Sequence, residues 1–215
     1  MTIRERIEHI LRQLPYSVKL VAVSKLHPVS AILEAYAAGQ RVFGESRPQE
    51  MAAKVPLLPD DIEWHFIGPL QSNKIKMILP HVALIHSVDS ERLLARIDRQ
   101  AALSDRMVDC LIQLHIAMED TKQGFPVQEA LEQVPLFRER YPNVRIRGLM
   151  GMASFVEDME QVRGEFRTLK SAFDKLQPEF QHFDTLSMGM SQDWTIAVEE
   201  GATIVRIGST IFGSR

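Results

Sequence analysis

The chain has 215 residues, of which 45% are hydrophobic and 25% are charged, and its net charge is −3. This length and apolar fraction are typical of one soluble domain, and the interleaved charges argue against a nucleic-acid surface. No apolar run approaches the ~20 residues that span a bilayer, residues 1–6 lack the apolar core of a signal peptide, and the single Cys110 excludes an internal disulfide. We therefore predict a cytoplasmic protein without membrane contact, in which Cys110 is a small core residue.

The first half of the chain alternates predicted helices with short apolar strands. Ile3, Ile7 and Ile10 recur at helical spacing, which predicts an amphipathic helix over residues 1–14. The strands that follow are predicted at residues 20–25, 41–46, 63–68 and 83–88, and the helices at 30–40, 48–54, 72–79 and 90–103. This order is typical of repeated β/α units.

The second half repeats the alternation. Strands are predicted at residues 109–116, 145–152, 184–189 and 203–208, and helices at 127–140, 158–176 and 194–200. Residues 56–61 and 119–126 form the longest polar loops. Eight strands separated by helices predict a (β/α)8 barrel, a TIM barrel that spans residues 1–215 as a single domain. The alternative is an open doubly wound sheet, which usually has fewer strands.

Lys25 is the most informative residue, because it closes the first predicted strand directly before His27 and Pro28. In a (β/α)8 barrel the functional site lies at the carboxyl ends of the strands. A lysine there carries a flexible amine to the rim, and a desolvated amine is a nucleophile toward an aldehyde. The alternative is a lysine whose stem packs on the barrel while its ammonium stays in water.

Two glycine-containing loops follow the last two predicted strands. They are Gly189-Met190-Ser191 and Gly208-Ser209-Thr210. Glycine lets backbone N–H groups approach an anion, serine and threonine add hydroxyl donors, and barrel phosphate sites commonly use these two loops. The pair therefore favours a phosphate site. The alternative is that Ser191 only N-caps the next helix and that Gly208 only makes a turn.

Arg206 lies inside the last apolar strand, where a charge requires a partner. Strand alternation places it on the same face as Ile204 and Gly208, and places the two apolar residues that flank it on the other face. Because that second face suits packing under helices, we expect Arg206 to point into the barrel mouth. There it would meet a carboxylate, for example Glu45, or a ligand atom; a purely structural ion pair is the alternative.

The remaining polar and soft residues give weaker signals. Met150 and Met152 end the sixth predicted strand and are typical of core positions, although a soft apolar wall also suits a flat ring. The seven histidines are scattered without metal-ligand spacing, and no Gly-x-Ser-x-Gly elbow is present. We therefore predict neither a metal site nor a serine hydrolase.

Six segments, in order, carry a resemblance to a known family. They are Ala22-Val23-Ser24-Lys25, Phe43-Gly44-Glu45, residues 65–74, Gly148-Leu149-Met150, residues 186–191 and residues 205–213. Together they resemble the pyridoxal phosphate homeostasis proteins, whose single barrel is similar to the N-terminal domain of bacterial alanine racemase. The resemblance covers nearly the whole chain, and so many segments in one order argue strongly against a chance match.

The resemblance implies that the chain binds pyridoxal 5′-phosphate (PLP) and that Lys25 forms a Schiff base with it. It also implies that Arg206 faces the pyridine nitrogen. The residues that it assigns to the phosphate are Ser191, Gly208 and Ser209, with Thr210 nearby. Ser46 and Met150 complete the predicted cofactor contacts. Ser46 and His115 stand where the family usually has asparagine, and these departures concern contacts beside the cofactor.

We therefore predict a PLP-binding protein that serves PLP homeostasis without robust catalysis. It would release PLP or pass it to apo-enzymes, and we expect it to be a monomer. An arginine at the pyridine nitrogen disfavours the ring proton by like-charge repulsion, which weakens carbanion chemistry. A barrel racemase also needs a tyrosine base from a second domain, whereas Tyr16 and Tyr141 precede strands and Tyr36 lies on a helix. The alternatives are a PLP-dependent amino-acid racemase or isomerase, and an aldolase that uses Lys25 without a cofactor.

Overall fold

A computed structural model describes residues 1–119 and 123–213 as a closed barrel of eight parallel strands. The strands are β1 (Lys19–Val23), β2 (Val42–Glu45), β3 (Glu63–Phe66), β4 (Val82–Val88), β5 (Val108–His115), β6 (Val144–Met150), β7 (Thr185–Ser187) and β8 (Ile204–Ile207). Each strand pairs in parallel with its neighbours in sequence, and β8 pairs with β1, which closes the cylinder. The predicted (β/α)8 barrel is confirmed, and the open sheet is wrong.

Helices surround the barrel on its outer side. They are α1 (Ile3–Gln13), α2 (Val29–Ala37), α3 (Pro48–Lys54), α4 (Ile75–Ile78), α5 (Glu91–Leu103), α6 (Val127–Arg140), α7 (Met159–Leu176), α8 (Trp194–Glu199) and α9 (Ser209–Phe212). The helix α1 begins at a capping box, in which Thr2 accepts from the Glu5 backbone N–H and the Glu5 side chain accepts from Thr2. Among the described residues, no helix is long and apolar enough to cross a membrane.

Several boundaries differ from the sequence-based expectations. The strand β1 ends at Val23 rather than Lys25, because ladder pairing with β2 stops there and the chain turns. The predicted helix over residues 72–79 is a 3₁₀ turn followed by the one-turn helix α4. In the predicted loop 119–126, Phe125–Pro126 form a two-residue strand beside β5, and residues 120–122 lie outside the described residues.

The core has two apolar layers separated by the barrel wall. Outward-facing strand residues pack under the helices, and five inward-facing residues form a small interior layer: Val21, Leu84, Leu111, Met150 and Ile204. Cys110 belongs to the outer layer and is fully buried, as predicted, and burial raises the pKa of its thiol. Charged and polar side chains lie at both mouths of the barrel, beyond the interior layer.

Candidate functional site

A cavity of about 610 Å³ opens at the carboxyl ends of the strands. Its walls come from the loops after β1, β2, β3, β6, β7 and β8, so it lies where the barrel architecture predicts the site. Its polar and charged lining residues are Lys25, Ser46, Arg47, Ser191, Gln192, Asp193, Arg206 and Ser209. The residues predicted from opposite ends of the chain therefore meet at one mouth of the barrel.

Lys25 reaches this cavity by strand alternation. Val23 lines the cavity, Ser24 is buried on the outer side of the barrel, and the half-buried Lys25 again lines the cavity. The next residue, Leu26, has a φ of +63°, a left-handed conformation that non-glycine residues rarely adopt. The chain thus turns sharply directly after the lysine.

The loops after β7 and β8 meet through one hydrogen bond. The Gly208 N–H donates to Ser191 Oγ at 3.3 Å. The N-cap of α8 is Asp193, so the alternative that Ser191 only N-caps this helix is wrong. Ser209 lines the cavity beside Gly208, whereas Thr210 is exposed in α9 and is not part of the lining.

Gly189 makes the tight turn out of β7 possible. Its φ is +92°, and a Cβ at this position would lie 2.6 Å from the Cβ of Ala197 in α8. Glycine therefore lets the Ser191 loop pack directly against α8, because an L side chain would meet both backbone strain and a steric clash. The glycine in the predicted phosphate loop has a backbone role that the structure explains.

Arg206 points inward, as the strand alternation predicts, and is only 4% exposed. One guanidinium nitrogen donates to Ser187 Oγ at 2.5 Å and the other to the Gly151 carbonyl oxygen at 3.1 Å. Burial lowers the pKa of Arg206 to about 10. The suggestion that Glu45 is its partner is wrong, because the Glu45 carboxylate bonds to Ser24 and Lys54 on the outer side of the barrel.

A column of hydrogen bonds continues from Arg206 through the barrel interior to its other end. Ser187 Oγ lies 2.9 Å from His86 Nδ1, and His86 Nε2 lies 2.9 Å from His65 Nδ1. The column ends where Glu63 Oε1 lies 2.8 Å from His65 Nε2. Burial lowers the pKa of both histidines, and the hydrogen bond from His65 lowers the pKa of Glu63 to about 2. The column is therefore an ionised carboxylate, two neutral imidazoles, a hydroxyl and a guanidinium.

These partners fix the direction of every hydrogen in the column. Glu63 can only accept, so His65 donates from Nε2 and accepts at Nδ1. His86 must then donate from Nε2 and accept at Nδ1, which requires the Ser187 hydroxyl to donate to it. Ser187 Oγ is left to accept from Arg206, as the geometry shows.

Three predicted site residues occupy different surroundings. Ser46 lines the cavity. Met150 is buried in the interior layer and is not part of the cavity lining; Met152, two residues further along the chain, lines it instead. His115 bonds through Nε2 to the Glu119 carbonyl oxygen at 2.9 Å and does not line the cavity.

Sequence reasoning missed several residues that line the cavity. Arg47, Phe155 and Gln192 belong to loops, so no periodic pattern marked them, and Ile67 was predicted only as a strand residue. Phe155 is 76% exposed at the rim, and an apolar residue in a polar loop is the one signal that could have found it. Within the described residues, no group of three or more His, Cys, Asp or Glu side chains could hold a metal ion.

A second cavity, of about 360 Å³, lies at the amino-terminal mouth. Its charged side chains bond to one another: Lys19 Nζ lies 2.8 Å from Glu63 Oε1, and Arg147 lies 2.9 Å from Asp109 and 2.7 Å from Asp184. The charges at this mouth therefore pair with one another.

The (β/α)8 fold and the cavity lined by Lys25 place the chain in the class of alanine racemase N-terminal domain barrels. The family of the alanine racemase N-terminal domain matches residues 1–215. A pyridoxal phosphate homeostasis protein of Vibrio alginolyticus is 42% identical over 100% of this chain and 98% of its own length, and one of Aquifex aeolicus is 43% identical over 92% and 87%. The chain belongs to this family of pyridoxal phosphate homeostasis proteins, as its sequence segments predicted.

Solved structures agree with this assignment. PipY of Synechococcus elongatus is 41% identical, and 99% of this chain and 100% of PipY are covered. The TM-score is 0.92 for the PipY structure without PLP and 0.90 for the structure with PLP bound. Alanine racemase of E. faecalis, at 14% identity and a TM-score of 0.71 over 99% of this chain and 58% of that chain, shares the fold alone.

Proposed function

We propose that this chain binds PLP and serves PLP homeostasis, holding the cofactor on Lys25 as a Schiff base without robust catalysis. The observation that carries the proposal is that Lys25 and the Ser191 and Ser209 loops line one cavity at one mouth. The name of the family and the PLP bound to PipY support it.

The chemistry of the lining residues fits the three parts of PLP. The Lys25 amine can condense with the aldehyde, forming C=N and releasing one water. Ser191 and Ser209 offer hydroxyl donors to the phosphate, and Ser209 adds the backbone N–H at the start of α9. The Gly208 N–H donates to Ser191 Oγ and so positions that hydroxyl, and the absence of a side chain at Gly208 leaves room for close approach. The family resemblance assigns Arg206, which lines the same cavity, to the ring nitrogen.

Arg206 also bears on reactivity. When bound, PLP supplies an electron sink that is strongest when its ring nitrogen is protonated. The guanidinium of Arg206 is held in place by Ser187 Oγ and the Gly151 carbonyl oxygen, and a cation beside the ring nitrogen opposes that proton. An arginine there weakens carbanion chemistry without abolishing it, because a racemase can work with such an arginine, so Arg206 is compatible with the carrier and does not by itself reject the racemase.

A racemase is the second candidate, because alanine racemase shares this barrel. A racemase needs a second base opposite the lysine, and a tyrosine would be the expected residue. Tyr36 donates to Asp61 Oδ1 and Tyr141 to Glu91 Oε1, while Tyr16 is exposed in the turn before β1. These three tyrosines lie away from the cavity lining, which supports the carrier over the racemase.

The proposal extends to how the protein acts. Residues 1–215 act as one PLP-binding domain, in the cytoplasm and as a monomer, and the released PLP reaches PLP-requiring apo-enzymes. The cavity opens to solvent at the mouth of the barrel, which supports release, since a carrier must release its cargo as well as bind it.

The test compares wild type with Lys25→Ala after incubation with PLP. Wild type should show a visible band that borohydride abolishes by reducing C=N to an amine, and Lys25→Ala should lack it while retaining part of its phosphate-dependent PLP retention. Lys170→Ala is the matched control, since Lys170 pairs with Asp174 on the surface of α7. A band that persists in Lys25→Ala would overturn the Schiff base.

Chiral analysis separates the two candidates. The PLP-loaded protein is incubated with L-alanine and other L-amino acids, and the products are resolved by chirality. The carrier should leave the L-isomers unchanged beyond the PLP-only background. Substantial D-isomer formation would establish the racemase instead.

A further inference from the structure

Both neighbours of Lys25 are tied to a buried charge cluster behind the barrel wall. We call Glu45, Glu50 and Lys54 the bracing cluster; Glu45 ends β2, and the other two lie on α3. Ser24 Oγ donates to Glu45 Oε1 at 2.7 Å, and the Leu26 N–H donates to Glu50 Oε1 at 2.5 Å. The residues on either side of the lysine are therefore both fixed by carboxylates.

Lys54 holds the cluster together. Its ammonium lies 2.7 Å from Glu45 Oε1, 2.7 Å from Glu50 Oε1 and 2.8 Å from the Ser24 carbonyl oxygen. An ammonium has three N–H donors, so these three acceptors use its full capacity. The Lys54 side chain thus connects both carboxylates directly to the backbone of the turn that carries Lys25.

Burying the charges of the bracing cluster carries a large desolvation cost. The Lys54 side chain is 9% exposed and that of Glu45 is 0% exposed. Two carboxylates share one ammonium, and among the described residues Glu45 Oε2 and Glu50 Oε2 are buried without a hydrogen-bond partner. Apolar side chains would pack such a site at least as stably, because buried charges lose their hydration. Stability alone therefore does not account for the cluster.

The strained backbone at Leu26 indicates what the cluster does. A left-handed leucine persists only where its surroundings impose that conformation, and here Glu50 holds its N–H. The turn follows Ser24, which faces the outer side of the barrel, and it directs Lys25 to the cavity. None of the three bracing residues lines the cavity itself.

We propose that Lys54 is a positioning residue for Lys25: with Glu45 and Glu50 it fixes the turn Ser24–Leu26 so that the lysine amine is presented to the cavity. The inference rests on the proposed function and adds residues that touch neither the cofactor nor the cavity. Without Lys54, the buried Glu45 and the half-buried Glu50 lose the cation between them and keep only their bonds to Ser24 and Leu26, and the turn relaxes.

The experiment separates presentation of Lys25 from binding in general. Wild type and Lys54→Met are mixed with PLP, and the rate of C=N formation, which releases one water, is followed by absorbance. Affinity is measured in parallel for 4′-deoxypyridoxine 5′-phosphate, which keeps the ring and phosphate but has no aldehyde. Lys54→Met should form C=N at least tenfold more slowly, with less than twofold change in affinity for the analogue. Lys170→Met, which removes a surface lysine, should change neither.

Two further variants protect the test against misfolding. Lys54→Met/Glu45→Met replaces most of the buried charge with apolar volume, and it should fold while still forming C=N slowly. Ser24→Ala removes only one hydroxyl bond to Glu45 and should slow C=N formation two- to fivefold.

The outcomes are distinct. A folded Lys54 variant with the wild-type rate overturns the positioning role, and so does an equal loss of affinity for PLP and for the analogue, which would mean a general structural role. If wild type itself forms no borohydride-sensitive band, the proposed function fails, and the positioning role fails with it. Partial recovery of the rate in Lys54→Arg, which restores a cation, is expected.

Discussion

The two mouths of the barrel carry different charge balances. Three cations and one carboxylate line the carboxyl-terminal cavity: Lys25, Arg47, Arg206 and Asp193. At the amino-terminal cavity the three carboxylates of Glu63, Asp109 and Asp184 are each paired with a cation: Lys19, Arg145 or Arg147. An anion is therefore attracted to the first mouth, whereas the charges at the second already pair with one another.

The difference separates binding from stability within one cylinder. At the amino-terminal mouth the ion pairs Lys19–Glu63 and Arg147–Asp184 close at 2.8 and 2.7 Å, so the charges satisfy one another. At the other mouth, hydroxyls and glycine backbone face a cavity large enough for a small phosphorylated ring. Substitution of a charged side chain at the carboxyl-terminal mouth should therefore change PLP affinity, and substitution of one at the amino-terminal mouth should change stability without changing that affinity.

Gly189→Ala should have the largest effect. The new Cβ would lie 2.6 Å from the Ala197 Cβ at a φ of +92°, so we expect a loss of about 3 kcal/mol in the free energy of unfolding and weaker PLP retention. Denaturant titration measures the first and absorbance the second. Gly164→Ala on α7 is the control, because its Cβ meets nothing within 4 Å, and it should gain about 0.5–1 kcal/mol. Equal stability of Gly189→Ala and wild type would contradict the predicted clash.

Ser187→Ala should come next, at about 2 kcal/mol, because it leaves a buried guanidinium N–H and His86 Nδ1 without a partner. PLP affinity should fall several-fold because Arg206 is no longer held. Equilibrium unfolding and PLP titration check both effects. Thr168→Ala removes an exposed hydroxyl that bonds within α7 and should cost less than about 0.5 kcal/mol. Unchanged affinity in Ser187→Ala would mean that the column does not hold Arg206.

The neutral histidines that join the two mouths predict acid sensitivity. Burial lowers the folded-state pKa of His65 and His86, so below pH 6.5 the unfolded chain binds protons that the folded chain does not. Stability is complete above that pH and is lost as the pH falls, by about 1.4 kcal/mol per histidine per pH unit. His86→Leu should reduce the slope of unfolding free energy against pH by about one proton, whereas the exposed His182→Gln should not. Equal slopes for His86→Leu and wild type would rule out a neutral His86.

Arg147→Gln should have the smallest effect and should sharpen the contrast between the mouths. It removes the ion pairs to Asp109 and Asp184 at a partly exposed site, so we expect a loss of about 1 kcal/mol that shrinks at high salt. PLP affinity should stay within twofold of wild type. The matched change at the other mouth, Arg206→Gln, should reduce PLP affinity at least tenfold. Equal effects of the two substitutions on PLP would abolish the comparison.

Periodic patterns predicted the parts of the site that lie on or next to strands. Period-two alternation placed Arg206 on the inner face, the end of the first predicted strand placed Lys25 at the rim, and the chain order of the strands brought the Ser191 and Ser209 loops to the mouth that Lys25 lines. These residues lie together because barrel closure carries the carboxyl end of every strand to one rim.

The partners of the charged groups could not be predicted in the same way. Val42 to Glu45 contains three apolar or small residues in a row, so the pattern did not show that Glu45 faces outward to Lys54. The column from Glu63 to Arg206 crosses four strands, and its bonds depend on register, which includes an irregular step between β3 and β4. Register is a property of the closed sheet and not of any one segment.

The one-way order of hydrogens inside the barrel has a consequence for the whole molecule. No single hydrogen bond in the column can reverse by itself, because its reversal would place two donors or two acceptors opposite each other in the buried interior. The hydrogen bonds inside the barrel therefore all run in one direction, from the donor Arg206 to the acceptor Glu63. The orientation of the Arg206 guanidinium at the carboxyl-terminal mouth therefore depends on the Glu63 carboxylate at the amino-terminal mouth.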